Sequence, residues 1–262
     1  MKKKIAMLLG ATMLMGAVLT GCGSETASNK PLVYAVEAGS AGEAVAQEKG
    51  FEYNSVAAQS DALMEVASGT SDAAIIDLLM AGAMIGEGTS YPDLTLGEEL
   101  TKEEYGIGCR KGSDLVSYIN AVLAESYADG SMMEMAKQYG VHESILEQTA
   151  CEYTAATESD VAYIQEKGTL IVGITEFKPM DYPDENGEWI GFDADMARKV
   201  AEKLGVEVEF IVIDWDNKAM ELDSKNIDVV WNGMTLTDEV KAAMDCTNAY
   251  CNNAQVVVVP AK

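Results

Sequence analysis

Gly168-Thr-Leu-Ile-Val-Gly173, Gly191-Phe-Asp-Ala-Asp195, Trp231-Asn-Gly-Met-Thr-Leu-Thr237 and Asn248-Ala-Tyr250 follow one another in a single stretch of the chain. Leu170–Val172 is an apolar run of strand length. Met196, Ala197, Val200, Ala201 and Leu204 recur at helical spacing and stop at Gly205, which predicts an amphipathic helix closed by a glycine. Val206, Val208, Phe210 and Val212 then alternate as a half-buried strand. A chain that alternates strand and helix in this way predicts parallel sheets with helices on both faces.

The pattern continues upstream. Val33–Val36 is a short apolar run, and Gly39-Ser40 leads into a helical segment. Ser60 is placed to cap a helix running through Ala67 and stopping at Gly69. Ala73–Ile76 reads as a strand ending in Asp77. Leu115, Ile119 and Val122 share one helix face, and Met132–Tyr139 forms a further helix. Residues 143–160 are polar and small and carry no such pattern, while Val161–Glu166 is a short helix before the Leu170 strand.

The four opening segments resemble, in order and spacing, the first half of the extracellular solute-binding proteins, family 3, which serve ABC importers of polar amino acids. Tyr34-Ala-Val-Glu-Ala-Gly-Ser40, Gly69-Thr-Ser-Asp-Ala-Ala-Ile-Ile-Asp77 and Tyr105-Gly-Ile-Gly-Cys-Arg-Lys-Gly112 resemble the pieces that normally follow them. Here they come first, so the halves are read as circularly permuted, with 143–160 joining the family's natural ends. The alternative is a fragment spanning the join of two tandem copies. The resemblance implies an α/β, two-lobed, periplasmic-binding-protein-like (type II) fold with two hinge-crossing strands. Tyr250–Val256 and Glu104–Gly108 match those crossings. Residues 106–255 form one lobe, and 32–105 plus 256–262 the other.

Residues 1–21 read as a signal peptide: Lys2-Lys3-Lys4 precede an apolar core, and Leu19-Thr20-Gly21-Cys22 follows. That last segment resembles the bacterial lipoprotein cleavage box, which implies lipid attachment at Cys22, with 22–31 as a tether and an extracytoplasmic, membrane-anchored location. Eighteen Lys+Arg against 43 Asp+Glu argue against nucleic acid and anionic membrane as partners. The sole histidine, His142, and the cysteine spacing match no zinc pattern, and no cofactor is expected. Cys246 and Cys251 are spaced either for a disulfide or for two separate thiols.

The resemblance also assigns an interlobe cleft. Phe177 and Trp215 match contacts to the ligand side chain. Asn232, Gly233 and Thr235 match the loop that binds an α-carboxylate. Ser40 and Gly42 lie in a strand-to-helix turn whose free N–H groups favour an anion. Asp77 matches the carboxylate that receives an α-ammonium, or else caps a helix. Asp72 and Asp228 read as structural, and Glu176 and Asp181, which flank Phe177, as solvated loop residues or else as acids facing a cationic ligand. The family's bidentate arginine is missing: Asp238-Glu239 is followed by Val240. Lys241 and Lys178 are the nearby cations, but a point charge does not reproduce the guanidinium fork. The ligand is therefore an amino acid held differently, or an amine or other small polar metabolite without the carboxylate. The implied partners are that ligand and an ABC permease and ATPase. A sensory module signalling to a membrane partner and a cyclic-acid dehydratase-like enzyme are the alternatives, the enzyme being disfavoured by the absent arginine and histidine.

Overall fold

The computed structural model describes residues 30–262; the signal peptide, Cys22 and most of the tether lie outside the described residues. Two mixed sheets organise the chain. The first begins with β1 (Val33–Glu37), α1 (Ala41–Lys49), β2 (Glu52–Val56), α2 (Gln59–Ser68), β3 (Ala73–Asp77), α3 (Leu78–Met84) and β4 (Leu94–Glu99). The chain then crosses into β5 (Glu103–Cys109), followed by α4 (Leu115–Ala128), α5 (Ser131–Gln138), α6 (Asp160–Lys167) and β6 (Thr169–Ile174). A small hairpin, β7 (Tyr182–Pro183) and β8 (Trp189–Ile190), precedes α7 (Phe192–Leu204) and β9 (Glu207–Val212). After a 3-10 turn at Trp215–Asn217 come α8 (Lys218–Asp223), β10 (Val229–Thr235), α9 (Asp238–Ala243), β11 (Asp245–Cys246) and β12 (Cys251–Asn253). β13 (Gln255–Pro260) crosses back to the first sheet.

The strand orders are β2-β1-β3-β13-β4 and β11-β5-β10-β6-β9, with β12 also paired to β5. β1 pairs in parallel with β2 and β3, and β6 with β9 and β10, whereas the crossing strands β5 and β13 run antiparallel to their neighbours. Sequence explains the positions. Ala73-Ala-Ile-Ile-Asp77 is buried throughout, as a strand covered on both faces requires. Glu52-Tyr-Asn-Ser-Val56 is mostly exposed and polar, which protects a sheet edge.

The apolar stripe of α7 is buried as its spacing predicts, and so are Leu115, Ile119 and Val122. Two local readings are corrected. Ser60 lies inside α2, whose N-cap is Ala58 without a side-chain bond; the helix starts one residue earlier, at Gln59, whose side-chain oxygen accepts from the Asp77 N–H. The alternation in β9 fails at Val212, the strand's last residue, which is 62% exposed. The cysteines at 109, 151, 246 and 251 are all free thiols. Cys246 and Cys251 face different registers of β5, opposite Gly108 and Tyr105.

The polar stretch before α6 is docked onto Asp114. That carboxylate accepts from the hydroxyls of Ser159 and Tyr153 and the backbone N–H groups of Ala156 and Val161. Burial works against its charge, but those bonds together hold its carboxyl below the ordinary 3.8. Asp114→Asn turns one acceptor into a donor facing donors. We expect it to lower stability by about 1–3 kcal/mol and to speed proteolysis within 143–159. Urea unfolding and limited digestion measure the two effects; an unchanged urea midpoint would contradict this role.

Candidate functional site

The carboxyl ends of β1, β3, β6, β9 and β10 converge from both sheets on one cleft, the position where open α/β sheets bind ligands. Its volume is about 350 Å³, within the range of small-molecule sites. Ser40, Asp77, Phe177, Trp215, Asn232, Gly233 and Thr235 line it, together with Glu37, Gln59, Lys218 and Val240. Gly42 does not line it. Gly42 is packed against the first sheet, where an added Cβ would lie 2.9 Å from the Ile75 carbonyl oxygen.

The loop at Asn232-Gly233 owes its shape to a register shift in β10 between Val230 and Met234. Bulges of this kind re-aim side chains beside sites. Gly233 has φ +55°, and a Cβ there would sit 2.3 Å from the Phe177 ring, so only glycine fits. Phe177 in turn lies edge-on to Tyr105 at 6.2 Å.

The hydrogen bonds redefine what these residues offer. Asn232 accepts from the N–H and hydroxyl of Thr175 and donates to the Thr175 carbonyl and to Asp181. The Gly233 N–H donates to Asp193 at 2.7 Å, and the Thr235 hydroxyl to Glu103 at 3.0 Å. At the α1 turn, Ser40 Oγ accepts from the Glu43 N–H while the Glu43 carboxylate takes the Gly39 N–H. This is a reciprocal N-terminal cap. The donors that the resemblance assigned to a ligand carboxylate are thus occupied largely by the protein's own carboxylates and carbonyls. Neither Lys178, whose ammonium lies over the Tyr182 ring, nor the exposed Lys241 lines the cleft. Arg110 is committed to Asp160 and Asp228, and Arg198 to Asp195.

Asp77 is 4% exposed. Its carboxylate accepts from the Tyr105 hydroxyl at 2.8 Å, from Gln255 at 3.0 Å, and from the side-chain amides of Gln59 and Asn253. It caps α3 in position but makes no side-chain cap bond. Burial, reinforced by Glu103, pushes its carboxyl up to about 7 against the pull of those donors. Asp181 is fully buried rather than solvated: it folds under the Phe177 turn, with Phe177 N–H bonded to its carbonyl. Burial and the adjacent Asp193 raise its carboxyl. Asp228 is structural as expected, joining Arg110, Lys167 and the Ile171 N–H. Asp72 likewise accepts from the Val33 N–H.

Glu37 and Lys218 are among the cleft residues that escaped the sequence reading. Glu37 ends an apolar strand run just as Asp77 does, and that parallel was the available signal. Lys218 carries no sequence signal. Its ammonium lies 5.0 Å from the Trp215 ring and donates to the carbonyls of Trp215 and, across the cleft, Gly39.

Residues 170–262 match the model of the bacterial extracellular solute-binding proteins, family 3, so over that stretch the chain is similar to this family. It is similar to the L-cystine-binding protein TcyJ of Escherichia coli, 36% identical over 96 residues, or 36% of each chain. The arginine-binding extracellular protein ArtP of Bacillus subtilis is 33% identical over 40% of this chain and 41% of its own. Cyclohexadienyl dehydratase of Pseudomonas aeruginosa is 34% identical over 32% of each. The chain thus spans about a third of the length of the curated relatives it matches. Among the described residues no helix is long and apolar enough to cross a membrane.

Proposed function

We propose that the protein is the substrate-binding lipoprotein of an ABC importer. It captures an amino acid or amino-acid-like polar solute in the interlobe cleft and delivers it to the permease. The observation carrying this reading is the cleft itself, which is built from strand ends of both lobes and joined by two crossings of the kind that permit hinged closure. Phe177 and Trp215 supply apolar walls, and Asp77 with Ser40, Asn232, Gly233 and Thr235 the polar frame. Lipid attachment at Cys22 and the permuted order of the halves belong to the same proposal. In favour of the permutation, β13 pairs with β3 and β4 and so completes the sheet begun by β1.

A thermal-shift screen of the purified protein against amino acids, amines and organic acids tests this reading, since a ligand bound by the native state alone raises the melting temperature. At a hundredfold excess over Kd the stabilisation is about 2.7 kcal/mol. No shift with any solute class would overturn the proposal. A dehydratase-like enzyme is the second reading, favoured by a buried carboxyl at Glu37 that holds its proton near neutrality. Catalytic consumption of a cyclic carboxylic acid by the protein would select it.

A further inference from the structure

We propose that Glu37 is a specificity-determining residue, and that with Asp77 it makes the cleft a receptor for an organic cation lacking a carboxylate, an amine or guanidinium compound. This deepens the solute-binding reading and rests on it. Three observations point the same way. Glu37 is 3% exposed, lines the cleft, and its Oε1 has no hydrogen-bond partner. A buried carboxylate oxygen without a donor is costly, and an ammonium or guanidinium entering the cleft supplies both donor and countercharge. Second, Asp77 lines the same cleft and its charge raises the proton affinity of the Glu37 carboxyl. Third, the donors suited to a ligand carboxylate are spent internally, and Val240 stands where a guanidinium would be needed.

The remaining charged groups facing the cleft are Glu43 from α1, Asp216 from the 3-10 turn, Lys218 from α8 and Glu239 from α9. One cation therefore faces five carboxylates. Lys218 is already engaged by two carbonyls, and its burial lowers its own proton affinity, so it is a poor carboxylate clamp. Burial foremost, then Asp77, pushes the Glu37 carboxyl up to about 8, while Lys218 and the groups of Thr175 and Gln59 pull it down. A bound cation favours the ionised carboxylates, so binding releases protons and tightens as pH rises.

Agmatine and L-arginine differ only in the carboxylate, and calorimetry with both is the test. Agmatine is expected to bind at least tenfold more tightly. Its affinity should increase between about pH 6 and about pH 8.5, with proton release read from the buffer dependence of the enthalpy. Glu37→Gln is expected to weaken agmatine at least tenfold and to flatten that pH dependence. Val240→Arg, a change on the opposite wall, is expected to reverse the preference toward arginine and serves if Glu37→Gln does not fold. Arginine binding equal to or tighter than agmatine, or unchanged agmatine affinity in Glu37→Gln, would overturn the inference. In that case a zwitterionic or neutral solute that still raises the melting temperature leaves the solute-binding reading standing, whereas no shift with any solute removes both.

Discussion

Asp77→Ala is expected to destabilise the ligand-free protein by about 3–5 kcal/mol, the cost of stripping a buried polar cluster of its centre. Four donors, from Gln59, Tyr105, Asn253 and Gln255, converge on one carboxylate. Each buried donor left without a partner costs about 1–3 kcal/mol, and relaxation toward Glu103, which already receives Asn253 and Gln255, recovers part of that sum. The effect reaches beyond the cleft, because Asn253 and Gln255 sit on the crossing where the chain leaves one sheet for the other. Asp77→Asn keeps the shape but points an amide at donors, so about 1–3 kcal/mol is expected. From the sequence alone this substitution reads as nearly silent without ligand, since the partner charge would then be absent. The structure supplies other partners. Urea unfolding of both variants is the check: a loss below about 1 kcal/mol in Asp77→Ala would mean that the donors find other acceptors.

The elements were legible because their signals are local. The 3.6-residue spacing in α7, the fully apolar Ala73–Ile76 run and the glycines at 69, 168 and 205 each report a helix face, a covered strand or a left-handed cap. The direction of the site's hydrogen bonds was not legible. Asn232, Gly233 and Thr235 are in the cleft, yet the partners that occupy them, Asp181, Asp193 and Glu103, are 51, 40 and 132 residues away in sequence. No spacing rule reaches that far. Asp181 shows the limit most plainly: a Pro-Met-Asp-Tyr-Pro stretch has loop composition, but the turn folds inward and buries the carboxylate. Glu37 was overlooked because a strand-terminal acid usually reads as a solvated end. Whether it is solvated depends on residues far away in sequence, Phe177, Trp215 and Lys218, which line the same cleft.

Stability of the ligand-free protein is expected to fall, not rise, as pH increases from about 5 to about 8. Glu37 and Asp77 ordinarily titrate near 4.5 and 3.8, and in the fold they are raised to about 8 and about 7. Between those limits the native state holds protons that the unfolded chain has released. By linkage the stability they contribute is complete below the unfolded values and is lost as pH climbs through the folded ones. Asp181 and Asp193, raised by burial, act in the same direction. The opposing groups are Asp114, Asp129, Asp184 and Asp245, whose carboxyls are held below 3.8. Their contribution is lost only as pH falls below that value, so the two windows do not overlap. The optimum should therefore lie near pH 4–5, below the usual range. Each retained proton contributes up to about 1.4 kcal/mol per pH unit, so with more than one acid retaining its proton the slope between pH 5 and pH 7 should exceed about 1 kcal/mol per unit. A net charge of −25 adds self-repulsion of the same sign, but about 1 M salt shortens the screening length to roughly 3 Å and removes most of that exposed part. The slope that survives salt belongs to the buried acids, and Glu37→Gln should reduce it. Denaturant midpoints that hold steady or increase from pH 5 to pH 8 in high salt would show that the buried carboxyls are ionised in the native state.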